Sequence, residues 1–334
     1  MTNPPTKAEV LLTKGCNLKC KYCALRRYTP NRSDSWKQYN ELSDEQWSEV
    51  PSKLVELGVS FAPIYGAEPL TRLPALLNFV SSCSKVGLKN TVITNATLLN
   101  KDAIKQLKVA GLSSITLSND IKTKDSSVGY KSISASSILS LCLEEFEDVE
   151  VITTITKENL KLVPSFISSL PKEVWFHFDF MHHDRKQPGT KCTGKHRAFS
   201  EEDKPDILNF LSSIQNLKKS GTRIHPSDEC LQFLSDNIDL VINTNWKCEL
   251  GSFVTIDSSF GSVQGCDDFC PTDLQGKFSI LKYNVDWRWT QWLETWRPRI
   301  SECPGCIWLT HVMSTQWWNK EKGESWKKQI THCA

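Results

Sequence analysis

No stretch of the chain stays apolar long enough to span a bilayer. The first apolar run, AEVLLT, is too short for the core of a signal peptide and has no small-residue cleavage pattern behind it. These two absences predict a soluble cytoplasmic chain. Neither sign of charge prevails either: 40 Lys and Arg stand against 38 Asp and Glu, a formal net charge of +2. With no global field, nothing advertises nucleic acid or an anionic membrane as partner, and only local patches remain open. What the sequence has in quantity is cysteine, 13 in 334 residues, and tryptophan, 12. Cytosolic thiols do not persist as disulfides, so metal or cluster ligation is the default for the closely spaced ones. Isolated Cys83, Cys142, Cys192 and Cys230 read instead as buried thiols that pack as small hydrophobes.

Three cysteines, Cys16, Cys20 and Cys23, lie in LLTKGCNLKCKYCALRR with the spacing C-x3-C-x2-C. One short loop thus offers three thiolates. A 4Fe-4S cluster has four irons to ligate, so three cysteines leave one iron open to a small chelating molecule, whereas a cluster used only for electron transfer is normally closed by a fourth thiolate. Structural zinc is the competing reading of a C-x2-C pair, but no second pair and no histidine pair follows nearby.

This loop, with aromatic Tyr22 ahead of its last cysteine, resembles the signature of the radical S-adenosylmethionine superfamily. The resemblance implies that the open iron is chelated by the amino and carboxylate groups of the methionine part of S-adenosylmethionine. Downstream, GAEPL resembles the family's GGEP turn, with Gly66, Ala67 and Glu68 expected to meet the cofactor's ammonium. Alanine in place of the second glycine raises a question of backbone geometry, because alanine avoids positive φ.

Runs of strand character alternate with helix-period segments: AEVLLT, VSFAPIY, NTVITN, SSITLS, VEVITTIT and VWFHFDFM, with DEQWSEVPSKLVELG and LPALLNFVSSCSKVG among the segments between. This alternation predicts an α/β fold with a parallel sheet. By resemblance it is a partial (β/α)6 TIM-like barrel, in which functional groups gather at the carboxyl ends of the strands. TNATLL and TLSND resemble the family's third and fourth strand ends, and ITTITKENLKLVPSFI its fifth. The implied cofactor contacts are therefore Asn95, Ser118 and Asn159, with Met181 at the end of the sixth strand; for each polar one, plain turn chemistry is the alternative. In the sixth strand His177, Asp179 and Met181 alternate with Phe176, Phe178 and Phe180. Barrel helices need an apolar outer face, so the phenylalanines are expected outward and His177 and Asp179 inward, as catalytic or substrate-site candidates.

Beyond residue 246 the pattern changes. VTIDSSFGSV reads as a hairpin that brings Cys248 toward Cys266, and the later pair Cys303 and Cys306 completes four thiolates, suited to zinc or to a closed cluster. The order of these cysteines resembles the twitch domain, a shortened relative of the SPASM domain, which implies one auxiliary 4Fe-4S cluster; Cys270 competes with Cys266. The expected organisation is a barrel over residues 1–215, a helical connection over 216–245, and a small α+β auxiliary domain over 246–334. Its tail, rich in Trp and Lys, reads as an amphipathic helix in preference to a base-stacking surface.

The resemblance implies an enzyme in which a reductant such as flavodoxin or ferredoxin reduces the first cluster, and S-adenosylmethionine is cleaved to a 5′-deoxyadenosyl radical that abstracts hydrogen from substrate. The first strand begins within about ten residues of Met1. That leaves no space for the leader-recognition module common in peptide maturases. A small polar substrate, such as a sugar, amino acid or nucleotide derivative, is therefore expected, with oxidation or rearrangement as the outcome. A peptide, a nucleic-acid base, and a non-enzymatic zinc or iron–sulfur protein stand as alternatives.

Overall fold

A computed structural model describes residues 4–18, 20, 23, 40–121, 137–181, 199–243, 246, 248, 251, 253–266, 271–303, 305–306 and 309–313. The expectations for Tyr22, Cys192, Cys270 and the tail beyond residue 313 lie outside these. Six strands run parallel: β1 (Ala8–Leu11), β2 (Phe61–Tyr65), β3 (Lys89–Thr94), β4 (Ser114–Ser118), β5 (Asp148–Ile155) and β6 (Trp175–Phe180). Between them come α1 (Asp44–Leu57), α2 (Leu73–Val86), α3 (Lys101–Ala110), α4 (Ser137–Glu145) and α5 (Val163–Ser169). Each helix is the crossover that a parallel pair requires. Among the described residues no helix is long and apolar enough to cross a membrane.

Local chemistry sets the element ends. Ser43 and Gln46 form a capping box at the start of α1, and Gly58 ends the helix in the left-handed conformation. Trp47 of α1, fully buried, meets Phe79 of α2 edge-on at 5.8 Å.

Side-chain alternation sorts the sheet into two faces. On β5, Val149, Val151, Thr153 and Ile155 are buried while Glu150, Ile152 and Thr154 on the other face are less completely covered. On β6 the phenylalanines face the helices: Phe176 meets Phe166 of α5 at 6.3 Å, and Phe178 meets Phe210 of α6 (Lys204–Lys219) at 5.1 Å. Burying each is worth about 1.5–3 kcal/mol. The outward phenylalanines and inward His177 and Asp179 are thus as the period of two predicts.

After α6, α7 (Asp228–Asp236) and α8 (Ile238–Asn243) lead to a hairpin of β7 (Val254–Asp257) and β8 (Ser262–Gln264). β7 pairs in parallel with β1, and β8 turns back antiparallel, so one eight-stranded sheet runs β6-β5-β4-β3-β2-β1-β7-β8. The hairpin is continuous with the barrel sheet. Helix α9 (Trp289–Trp296) packs on it through a stack of Trp289, Trp292 and Trp296, and the Trp292 indole donates to the Val263 carbonyl at 3.0 Å. Core packing accounts for these tryptophans. Cys83, Cys142 and Cys230 are fully buried, and burial pushes the Cys142 thiol up to about 12.

Alanine in the GAEPL turn causes no strain, since Ala67 is not among the residues with positive φ. The strained alanine is Ala96 of TNATLL, at φ 61°. A left-handed alanine costs about 1–2 kcal/mol, part of which glycine gives back through its more flexible unfolded chain. Ala96→Gly should therefore raise unfolding stability by about 0.5–1 kcal/mol in denaturant titrations; an unchanged or lower midpoint would contradict this reading of the turn.

Candidate functional site

The cysteine loop leaves the carboxyl end of β1 and is laced to its neighbours through backbone. Ala67 N–H donates to the Thr13 carbonyl at 2.9 Å, and Glu68 N–H to that of Gly15 at 2.8 Å. This approach demands glycine at 66, where a Cβ would lie 2.8 Å from the Thr13 carbonyl oxygen. Beneath the loop, the fully buried Glu41 carboxylate accepts from Lys14 N–H at 2.7 Å, Thr13 Oγ1 at 2.9 Å and Arg72 Nη1 at 3.2 Å. Lys14 Nζ in turn reaches Asp257 at 3.0 Å and Ser259 Oγ at 2.7 Å across the sheet. A buried carboxylate is tolerated only when donors surround it, and here they hold the segment that carries Cys16.

Glu68 and Asn95 join the same frame. The Glu68 carboxylate, 1% exposed, accepts from Thr94 Oγ1 and Asn95 N–H, both at 2.7 Å, tying the β2 turn to the end of β3. Asn95 Nδ2 donates to Asn17 Oδ1 at 3.0 Å, which links the β3 end to the cysteine loop itself. Asn159 closes its own turn: its Nδ2 donates to the Thr154 carbonyl and its Oδ1 accepts from Thr156 N–H. The polar side chains of Glu68, Asn95 and Asn159 are therefore engaged in turns and inter-loop ties, while Ser118 is buried at the end of β4 and Met181 half-buried beyond β6. Cys16, Cys20 and Cys23 lie on the one loop, and Leu18 N–H points at Cys16 Sγ from 3.3 Å. An N–H aimed at sulfur is the environment an anionic, cluster-bound thiolate takes, so the loop fits an iron–sulfur group.

The inward face of the sheet is polar on adjacent strands. Thr116 Oγ1 donates to Glu150 at 2.9 Å; His177 Nδ1 and His225 Nε2 stand 3.9 and 3.8 Å from the same carboxylate. Burial drives Glu150 up to about 8, with Asp179 and Asp148 adding to the rise against the opposing Thr116 hydrogen bond; burial likewise lowers His177 to about 3 and lifts Asp179 to about 7. His177 is thus neutral near pH 7, and its buried Nε2 has no hydrogen-bond partner among the described residues. Asp179 accepts from Leu309 N–H at 2.9 Å.

Cys266 closes the hairpin, and Cys248, Cys303 and Cys306 neighbour one another. Burial raises the Cys248 thiol to about 11, opposed by His311 and reinforced by Cys306 and Cys303, which places these groups in one electrostatic neighbourhood. Cys306 N–H pairs with the Trp246 carbonyl at 2.7 Å, and Gly305 N–H points at Cys303 Sγ from 3.4 Å. Cys266 lies two residues beyond β8, at the end of the hairpin where Phe253 precedes β7. Among the described residues no three His, Cys, Asp or Glu side chains are gathered to hold one metal ion. A four-iron cluster takes its thiolates on separate irons, so it asks for a shared neighbourhood and not a shared point. Glu9, Glu41, Arg72, Glu150 and His311 had no motif to mark them in the sequence; each becomes visible only when distant strands meet.

Comparison with known proteins places this geometry. Residues 10–125 match the family model of the Radical SAM superfamily. Fe-coproporphyrin III synthase of Methanosarcina barkeri is 28% identical over 216 residues, 63% of this chain and 52% of that protein. PqqA peptide cyclase of Methylocella silvestris is 36% identical over 123 residues, 36% of this chain and 31% of that protein. The match thus spans about half the length of the first relative and about a third of the second. The crystal structure of Streptococcus suis SuiB bound to S-adenosylmethionine shares the fold at TM-score 0.57 and 19% identity, covering 84% of this chain and 65% of that one.

The raised carboxyl in the barrel makes a testable statement about pH. Folded Glu150 keeps its proton between 4.5 and about 8 whereas the unfolded chain releases it, so its contribution is undiminished below pH 4.5 and stability falls as pH rises through that window. Glu150→Gln removes this slope. Denaturant unfolding at pH 5 and pH 8 should show the wild type losing roughly 1–3 kcal/mol more than the variant; parallel losses would contradict it.

Proposed function

We propose that this chain, a member of the radical SAM superfamily through residues 10–125, is an enzyme that acts on a small polar substrate inside its partial barrel. Cys16, Cys20 and Cys23 would hold the 4Fe-4S cluster, and S-adenosylmethionine would lie against the backbone of residues 66–68 and the strand ends at Asn95, Ser118, Asn159 and Met181. When bound, these groups supply reductive cleavage of a carbon–sulfur bond and abstraction of a substrate hydrogen. The reductant is of the flavodoxin or ferredoxin kind. Cys248, Cys266, Cys303 and Cys306 would hold a second 4Fe-4S cluster, placed to take an electron from substrate and so to favour net oxidation over rearrangement.

The observation that carries the substrate class is the polar inward row of Thr116, Glu150, Thr154, His177 and Asp179 on three adjacent strands. An apolar ligand would leave the remaining hydrogen-bonding capacity of these groups unused, whereas hydroxyl, amine or amide groups satisfy it. His177 and Asp179 are the proposed substrate contacts. A peptide substrate is the second reading, favoured by the likeness to PqqA peptide cyclase.

The chain's own part is to bind, orient and exclude water. Gly66 and the Glu41 cluster fix the cysteine loop, and the ties from Glu68 and Asn95 hold two strand ends around it. Anaerobically reconstituted, reduced protein incubated with S-adenosylmethionine should yield 5′-deoxyadenosine. Replacing Cys16, Cys20 and Cys23 by alanine should abolish it. Product that survives the replacement, or a protein that takes up zinc and no iron, would overturn the proposal.

A further inference from the structure

His311 belongs to no motif and lies 302 residues from the side chain it contacts most directly, Glu9. It sits on the helical turn 309–313, just after Cys306, and is 2% exposed. Three contacts fix its ring. Nε2 is 3.1 Å from Glu9 Oε2 on β1, Nδ1 is 4.0 Å from Cys306 Sγ, and one face stacks on Phe253 with centroids 4.1 Å apart and planes at 22°. Glu9 is itself braced by Lys7 Nζ at 3.0 Å. Cys303 and Cys248 lie in the same neighbourhood, and Phe253 and Cys266 flank the open end of the β7–β8 hairpin. The imidazole therefore stands at the meeting point of the cysteine set and the first barrel strand.

A ring held between a carboxylate and a cysteine sulfur donates to both when both of its nitrogens carry protons. Hydrogen bonds to the sulfurs of an iron–sulfur cluster stabilise its more negative, reduced form and so raise its reduction potential, and the partner that fixes a donor's orientation matters as much as the donor. We propose that His311, oriented by Glu9 and Phe253, is a positioning residue for the auxiliary cluster: it donates to Cys306 and sets that cluster's potential above the value four cysteines alone would give. This inference rests on the reading of Cys248, Cys266, Cys303 and Cys306 as cluster ligands.

The test separates the two claims. In the full chain with Cys16, Cys20 and Cys23 replaced by alanine, only the auxiliary site remains. Anaerobic reconstitution with iron and sulfide should leave about four irons per chain, the number in one such cluster; a chain without iron would overturn the auxiliary-cluster reading itself. In that background His311→Phe keeps the stack on Phe253 but loses both ring nitrogens. Redox titration followed by the reduced cluster's paramagnetic resonance should give a lower midpoint potential at unchanged iron content. His311→Gln keeps an N–H donor at this position and should shift the potential in the same direction by less, which decides the matter if the first variant does not fold. A midpoint equal to the parent's in the folded variants would show that His311 is packing alone and overturn the proposal.

Discussion

The backbone ladder between residues 13–15 and 66–68, with the Glu41 carboxylate wedged beneath it, is the constraint on which the rest of the site depends. A loop carrying three thiolates has no core of its own and must borrow rigidity. It does so from amide hydrogens at 67 and 68, which fill the carbonyls of Thr13 and Gly15, and from a buried charge whose donors are Lys14 N–H, Thr13 and Arg72. Removing any one donor would leave the carboxylate partly unsatisfied in the interior, a cost of several kcal/mol by general experience of buried charges. Glycine at 66 is what allows the two backbones to meet.

A second closure joins the ends of the barrel. β6 and β1 are separated by four strands in the sheet order, yet the single turn 309–313 touches both, through Leu309 N–H to Asp179 and His311 to Glu9. Cys303 and Cys306 precede this turn directly. Their position is thereby coupled to the barrel edges, and β7 adds to that coupling by pairing with β1. The inward row of polar side chains lies on β4, β5 and β6, next to this turn.

Much of this was legible in the residues. Period-two alternation in VWFHFDFM placed Phe176, Phe178 and Phe180 against helices and His177 and Asp179 inward, because only one face of that strand can meet apolar neighbours. The strands of the barrel followed from apolar runs separated by helix-period segments, and the hairpin from the turn around Ser258 to Gly261. What was not legible depends on contacts between distant positions. Asn95 and Asn159 carry the family's residue types, but the first reaches a distant loop through Asn17 and the second closes its own turn, ties that no spacing reveals. The alanine that bears left-handed strain is Ala96 and not Ala67, since φ is set by the path of the turn and not by the residue that departs from the pattern. Glu9, Glu41 and His311 look like ordinary polar residues until β1, the β2 turn and the carboxyl-terminal turn come together.

The central claim is that the loop of Cys16, Cys20 and Cys23 holds a cluster with one iron left open to S-adenosylmethionine. The most direct measurement is the paramagnetic resonance spectrum of the reduced cluster, recorded with and without S-adenosylmethionine, in a chain whose Cys248, Cys266, Cys303 and Cys306 are replaced by alanine. A signal that changes on addition of S-adenosylmethionine is the predicted result, because chelation alters the open iron. A reduced cluster whose signal is indifferent to it would contradict the account.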